Sequence, residues 1–142
     1  MSKHREKRNE TILNKLRVIN IRLEKLEGET VEFNSSEFEQ NKIELKTKWD
    51  YNIRKKEKDI LILTANFNTY FVPEILFKLE LEYSISYKLK GDVSLEEIKS
   101  EIEEILRPCG ELNTMIVAQL TDKMAGSPLI VPPIIRIKDE ED

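Results

Sequence analysis

From residue 75 to residue 89 the chain alternates without a break. Ile75, Phe77, Leu79, Leu81, Tyr83, Ile85, Tyr87 and Leu89 occupy every second position, with Leu76, Lys78, Glu80, Glu82, Ser84, Ser86 and Lys88 between them. Consecutive side chains of a β-strand point to opposite faces, so a period of two marks a strand with one face buried and the other largely wet. A strand of this length is stable only within a larger sheet, and the constraint it sets is the search for its partners.

Two partners are legible. Over residues 43–53 the odd positions are Ile43, Leu45, Thr47, Trp49, Tyr51 and Ile53, and the even ones Glu44, Lys46, Lys48, Asp50 and Asn52. The polar run Lys55-Lys56-Glu57-Lys58-Asp59 makes a turn, and residues 60–71, rich in Ile, Leu, Thr and Phe, read as the antiparallel mate. Pro73 then interrupts the pairing. A weaker strand is expected at 18–26, where Ile19, Ile21 and Leu23 alternate with Asn20, Arg22 and Glu24, and residues 27–40 are expected to be a loop.

After Gly91 the period lengthens. Ser94 followed by Glu97 forms a capping box, in which hydroxyl and carboxylate each satisfy an otherwise unpaired amide. Leu95, Ile98, Ile102, Ile105 and Leu106 then recur at helical spacing. Pro108 disfavours helical geometry at Arg107 and suits a first turn, which predicts a break and a second helix with an apolar face of Leu112, Met115, Ile116, Leu120 and Met124. Gly126, Ser127 and Pro128 end that helix. The apolar residues 129–137 contain Pro132 and Pro133 and read as extended chain. The expected fold class is α+β: a four-stranded antiparallel sheet packed against carboxy-terminal helices, all 142 residues forming one domain with a basic amino-terminal stretch (1–11) and an acidic tail (138–142).

Such a sheet is larger than its own helices can cover. A regular strand over 75–89 spans about 50 Å and four strands are roughly 19 Å wide, whereas the two helices, each ~20 to 25 Å long and about 10 Å across, cover its length but about half its width. Each large apolar side chain left in water forfeits roughly 1.5 to 3 kcal/mol, which predicts a homo-oligomer with a residual apolar groove. A strongly coiled sheet closed by its own helices is the competing arrangement.

The composition narrows the chemistry. Lys and Arg number 23 against 27 Asp and Glu, a net charge of −4 that argues against general affinity for nucleic acid or anionic membranes. Lys3, Arg5, Lys7 and Arg8 read as a solvated terminus; nucleic-acid binding through them would be steeply salt-dependent. The single histidine, His4, and single cysteine, Cys109, cannot supply a Ser-His-Asp or Cys-His site or a zinc ligand set, and no metal is expected. Cys109 near a helix start is either a small buried residue or a reactive thiol. Gly28, Gly91, Gly110 and Gly126 form no phosphate loop, so no catalytic residues and no cofactor are expected. Neither a signal peptide nor a membrane-spanning run is visible, and one cysteine leaves no internal disulfide; a soluble, cytoplasmic protein is expected.

The element order, with Ile105-Leu106-Arg107-Pro108, Leu120-Thr121, Gly126, Pro128-Leu129-Ile130-Val131 and Pro132-Pro133-Ile134, resembles the SecB family of export chaperones. The resemblance in element order covers residues 16–137 and its motifs lie in 105–134. It implies an ATP-independent holdase, a dimer of dimers that binds unfolded or precursor polypeptides for export and hands them to the translocation motor. The alternative it leaves open is a SecB-like adaptor or toxin–antitoxin-associated chaperone dedicated to one partner such as an antitoxin. The motor-binding acidic face would include Glu44, Asp50, Glu80 and Glu82, residues that a plain solvated face explains equally well. A client groove could draw on Trp49, Tyr51, Phe67, Phe71, Tyr83 and Tyr87, each of which core packing also explains, and on Leu129, Ile130, Val131, Ile134 and Ile135, where prolines keep the segment out of a ladder.

Overall fold

The computed structural model describes residues 12–32 and 42–137. The expected basic amino terminus, most of the expected loop at 27–40 and the acidic tail lie outside the described residues. Four strands, β1 (Leu16–Val31), β2 (Glu44–Lys56), β3 (Ile60–Val72) and β4 (Leu76–Leu89), form one antiparallel sheet in the order β1-β4-β3-β2. Three helices follow: α1 (Leu95–Ser100), α2 (Ile102–Ile105) and α3 (Arg107–Ala125). The α+β sheet-and-helix architecture expected from the alternation is therefore the one observed.

The two central strands carry the core. Leu61, Leu63, Ala65 and Phe67 of β3 stand opposite Tyr87, Ile85, Tyr83 and Leu81 of β4, and all eight are buried. Ile98, Ile105, Leu106 and Val117 of the helical region belong to the same apolar cluster. The opposite face of these strands shows Thr64, Asn66, Asn68, Glu80, Glu82 and Ser84, the polar half of the alternation.

β1 is longer than its sequence pattern indicates. Register shifts fall between Val18 and Asn20 and between Leu23 and Lys25. Each inserts an unpaired residue, and an extra residue in a period-two element reverses which positions face the core. Ile21 and Leu23 stand opposite the core residues Ile85 and Tyr83, whereas beyond the second bulge it is Leu26, Gly28 and Thr30 that stand opposite Leu81, Leu79 and Phe77. Residues 27–31, expected as loop, thus continue the strand. Ile19, expected on the buried face, sits in the first bulge and is 55% exposed.

The capping box is present in both directions: the Glu97 amide donates to Ser94 Oγ at 3.1 Å and the Ser94 amide to Glu97 Oε1 at 3.0 Å. The apolar run expected as one helix up to Leu106 is divided at Glu101, whose φ of −116° leaves the helical region. Pro108 lies in the first turn of α3, and Gly126, with φ 81°, closes that helix in the left-handed conformation that suits glycine. Four residues of the expected apolar face of α3, Leu112, Ile116, Leu120 and Met124, pack against the core, but the fully buried stripe lies beside them. It consists of Cys109, Gly110, Asn113, Val117 and Thr121, while Leu112, Ile116, Leu120 and Met124 are only half-buried and Met115 is 62% exposed. Small and polar residues face inward because Gly110 and Thr121 meet main chain of the closing segment and Asn113 accepts from the Tyr83 hydroxyl.

Candidate binding groove

The closing segment, residues 128–137, is held against α3 by side chains one helical stripe apart. The Leu129 amide donates to Thr121 Oγ1 at 2.7 Å, and that hydroxyl donates to the Val117 carbonyl at 2.8 Å. About two turns toward the amino terminus, the Thr114 hydroxyl lies 2.8 Å from the Val131 carbonyl. At Gly110 the segment comes so close that a β-carbon would collide with the Pro133 carbonyl oxygen. Farther on, the Ile137 amide donates to Glu103 at 2.9 Å, and Ile137 forms a parallel bridge with Trp49 of β2.

Two consecutive prolines explain why this segment is a wall and not a fifth strand. Pro132 and Pro133 have no amide hydrogen to give to a ladder, which interrupts any pairing there, and the segment meets β2 only at Ile137. Val131 and Ile135 turn into the core, and Ile130 and Ile134 turn outward with 68% and 53% of their surface in solvent.

β2 is the outermost strand on this side. It pairs with β3 along one edge, and among the described residues its other edge meets only the Trp49–Ile137 bridge. Between that edge and the closing segment lies an open space of 520 Å³. Leu45, Thr47, Trp49 and Phe67 contribute one side, and Val131, Pro132 and Ile134 the other. Trp49 is anchored below by tilted contacts with Phe67 at 4.9 Å and Tyr83 at 6.3 Å between ring centroids.

The aromatic residues named from sequence divide between groove and core. Trp49 and Phe67 line the space. Tyr83 and Tyr87 are buried, their hydroxyls donating to Asn113 Oδ1 and to the Ile105 carbonyl. Burial raises both phenols well above their ordinary range, so they act as neutral donors. Phe71 packs edge-on against Phe77 at 5.2 Å, away from the groove lining. Tyr51 lies instead beside α1 and α2, in a second space with Lys99, Glu101, Glu103 and Ile137. Of the closing segment, Val131 and Ile134 line the groove; Leu129 is half-buried, Ile135 buried and Ile130 exposed. Leu45, Lys46, Thr47, Lys48 and Arg136 complete the lining and were not singled out in the sequence, although lysines along a strand are a recognised mark of a sheet edge.

The acidic candidates lie on the face of the sheet that no helix covers among the described residues. Asp50, Glu80 and Glu82 converge there with Asn52, Thr64, Asn66 and Asn68 around a shallow depression. Glu44 is at the other end of β2, where it bridges Lys46 at 2.9 Å. On the same face the Ser84 hydroxyl donates to Glu24 at 2.7 Å, and this bond, aided by Arg22 at 2.8 Å, holds the Glu24 carboxyl below the usual carboxylate range.

The Cys109 thiol is buried, and desolvation pushes its pKa up to about 12. That is the opposite of the depressed value a nucleophilic thiol needs. Among the described residues no group of three or more His, Cys, Asp or Glu could hold a metal ion, and no helix is long and apolar enough to cross a membrane.

No protein-family model matches the chain, and a search of curated proteins finds no match. Solved structures do match. A SecB-like chaperone of Mycobacterium tuberculosis, in complex with a ChAD peptide from the HigA1 antitoxin, superposes with a TM-score of 0.71 at 10% sequence identity, covering 89% of this chain and 96% of that one. A protein of unknown function from Streptococcus agalactiae gives a TM-score of 0.52 at 11% identity, covering 82% of this chain and 97% of that one. In its fold this chain is thus SecB-like, while its sequence is divergent.

Proposed function

We propose that the protein is an ATP-independent chaperone that holds extended, unfolded segments of other polypeptides, without catalysis or cofactor, in the groove between β2 and the closing segment. The observation that carries this reading is the groove itself: an open space of 520 Å³ whose walls include Leu45, Trp49, Phe67, Val131 and Ile134, beside a strand that among the described residues is paired along one edge only. Main-chain groups on such an edge bind any extended peptide, and apolar walls add affinity with little demand for sequence. A holdase of this kind acts by mass action, binding the unfolded chain and not the folded one.

The protein works as a homo-oligomer in this reading, a dimer of dimers in which several grooves engage one client. Two exposed features favour self-association: among the described residues the outer edge of β1, which carries Val18, Ile19 and Leu26, is unpaired, and α3 presents Met115 beside half-buried Leu112, Ile116 and Leu120. The acidic face with Asp50, Glu80 and Glu82 is the candidate docking site for a translocation motor in the cytoplasm.

A second reading is favoured by one observation, the antitoxin peptide bound to the SecB-like chaperone described above. Here the groove serves one dedicated partner and export plays no part. Delayed refolding separates the two. A general holdase added at stoichiometric amounts slows refolding of several unrelated denatured proteins, and a dedicated adaptor protects only one. A protein that sediments as a monomer and delays none of the unrelated proteins ends the general-holdase reading, and one that also captures no single partner from its own cell ends the second.

A further inference from the structure

The groove differs in charge from three other depressions formed by the described residues. Its lining contains Lys46, Lys48 and Arg136 and no carboxylate, although the chain as a whole carries a net charge of −4. The larger depression beside β1 has the reverse balance, with Glu27, Glu29, Glu74 and Glu80 around a single lysine, Lys78. The space beside α1 and α2 and the depression on the open face are likewise richer in acids than in bases.

The geometry of β2 fixes where those charges act. Leu45, Thr47 and Trp49 stand opposite Phe71, Thr69 and Phe67, on the core side of the sheet, while Lys46 and Lys48 stand opposite Tyr70 and Asn68, on the open side. A peptide added as a strand along the free edge alternates in the same way. One set of its side chains meets Leu45, Thr47, Phe67, Val131 and Ile134; the other falls beside Lys46 and Lys48, at the ~4.5 to 5.5 Å spacing of cross-strand neighbours. Glu44 and Asp50 already lie 2.9 and 3.9 Å from those two lysines, but both carboxylates are outside the groove lining. The Trp49–Ile137 bridge closes the groove at one end, which leaves the edge of residues 44–48 for a segment of about five residues.

We infer that the groove binds its polypeptide partner as an added β-strand and selects segments in which large apolar residues alternate with Asp or Glu. The inference rests on the peptide-holding reading above and adds a substrate class to it: the apolar residues enter the groove, and the acidic ones lie along the lysine-bearing side of β2 and near Arg136. Basic segments are disfavoured, since like charges directly opposite on neighbouring strands repel.

The test uses the full-length protein and three fluorescein-labelled peptides with the core Phe-X-Leu-X-Phe, X being Glu, Ser or Lys, with binding read by fluorescence anisotropy. The Glu peptide is expected to bind about tenfold more tightly than the Lys peptide at low ionic strength, with a gap that narrows as salt is raised. Combining Lys46→Glu, Lys48→Glu and Arg136→Glu reverses the order, and Lys48→Glu alone narrows the gap should the triple variant fold poorly. Methylating the amides on alternate residues of the Glu peptide, which leaves its side chains intact, abolishes binding. Equal affinities, a preference for the Lys peptide, or indifference to methylation overturns the inference. So does release of self-association by the Glu peptide, which makes a second copy the occupant, or a marked gain in affinity on removal of residues 138–142, which makes the chain's own tail the occupant. If the peptides do not bind yet denatured proteins are held, strand addition fails and the holdase reading survives; if neither binds, both fail.

Discussion

The bond between Tyr83 and Asn113 offers a direct test of how α3 is fixed on the sheet. Both residues are buried, and the phenol donates to Asn113 Oδ1 at 2.6 Å. Asn113 Nδ2 has no partner among the described residues. Removing one member of such a pair leaves the other buried and unsatisfied, at about 1 to 3 kcal/mol, whereas replacing both with apolar groups of similar shape is close to neutral. Tyr83→Phe is therefore expected to cost about 2 kcal/mol, because it strands both polar atoms of Asn113. Asn113→Leu, which keeps the branched shape, costs less, since it strands one hydroxyl and removes an amide that was already unpaired. The double variant should return to within about 1 kcal/mol of the parent, a coupling of roughly 2 kcal/mol. In thermal unfolding followed by circular dichroism at fixed protein concentration, each kcal/mol appears as about 3 °C for a chain of this size. A double variant as unstable as the sum of the singles refutes the reasoning, as does a Tyr83→Phe protein indistinguishable from the parent.

Two further outcomes follow from the contacts of α3. Gly110→Ala drives a methyl group against the Pro133 carbonyl and Ile135 Cγ1, so the closing segment must shift; limited proteolysis should cut within residues 128–137 of the variant well before the parent, with a stability loss of about 1 to 3 kcal/mol. The raised pKa of Cys109 keeps its thiol protonated in the folded protein. The stability it contributes is complete below the thiol's unfolded pKa and is lost as the pH rises from there toward about 12, so Cys109→Ala should flatten the decline in unfolding temperature over that window.

How much of this was legible in the sequence depends on how regular each element is. β2 and β4 were found because each keeps its alternation for ten residues or more, β3 because a run rich in Ile, Leu, Thr and Phe follows a polar turn, and the start of α3 because Pro108 leaves few alternatives. β1 was cut short because its bulges exchange the inward and outward positions within the strand, so that no single period fits Leu16–Val31. The inner face of α3 was legible only in part: Leu112, Ile116, Leu120 and Met124 pack against the core as their spacing implies, but Asn113 and Thr121 are buried through hydrogen bonds to Tyr83 and Leu129, and Gly110 through backbone contact, none of which hydrophobic spacing reports. One wall of the groove was visible in Pro132 and Pro133. The other was hidden because it depends on β2 being outermost, and strand order is a property of the folded chain that no local pattern encodes.

The irregularities of β1 also bear on what the molecule avoids. A straight outer strand of 16 residues is a template onto which copies can add without limit, the route by which sheets grow into fibrils. Two kinks within it mean that a newcomer matches along the whole length only if its own backbone is bent in the corresponding places. A flat, unspecific strand finds purchase for a few residues and then loses step. The displaced isoleucine at position 19, pushed into water by the first kink, is the price of an edge that chooses its company.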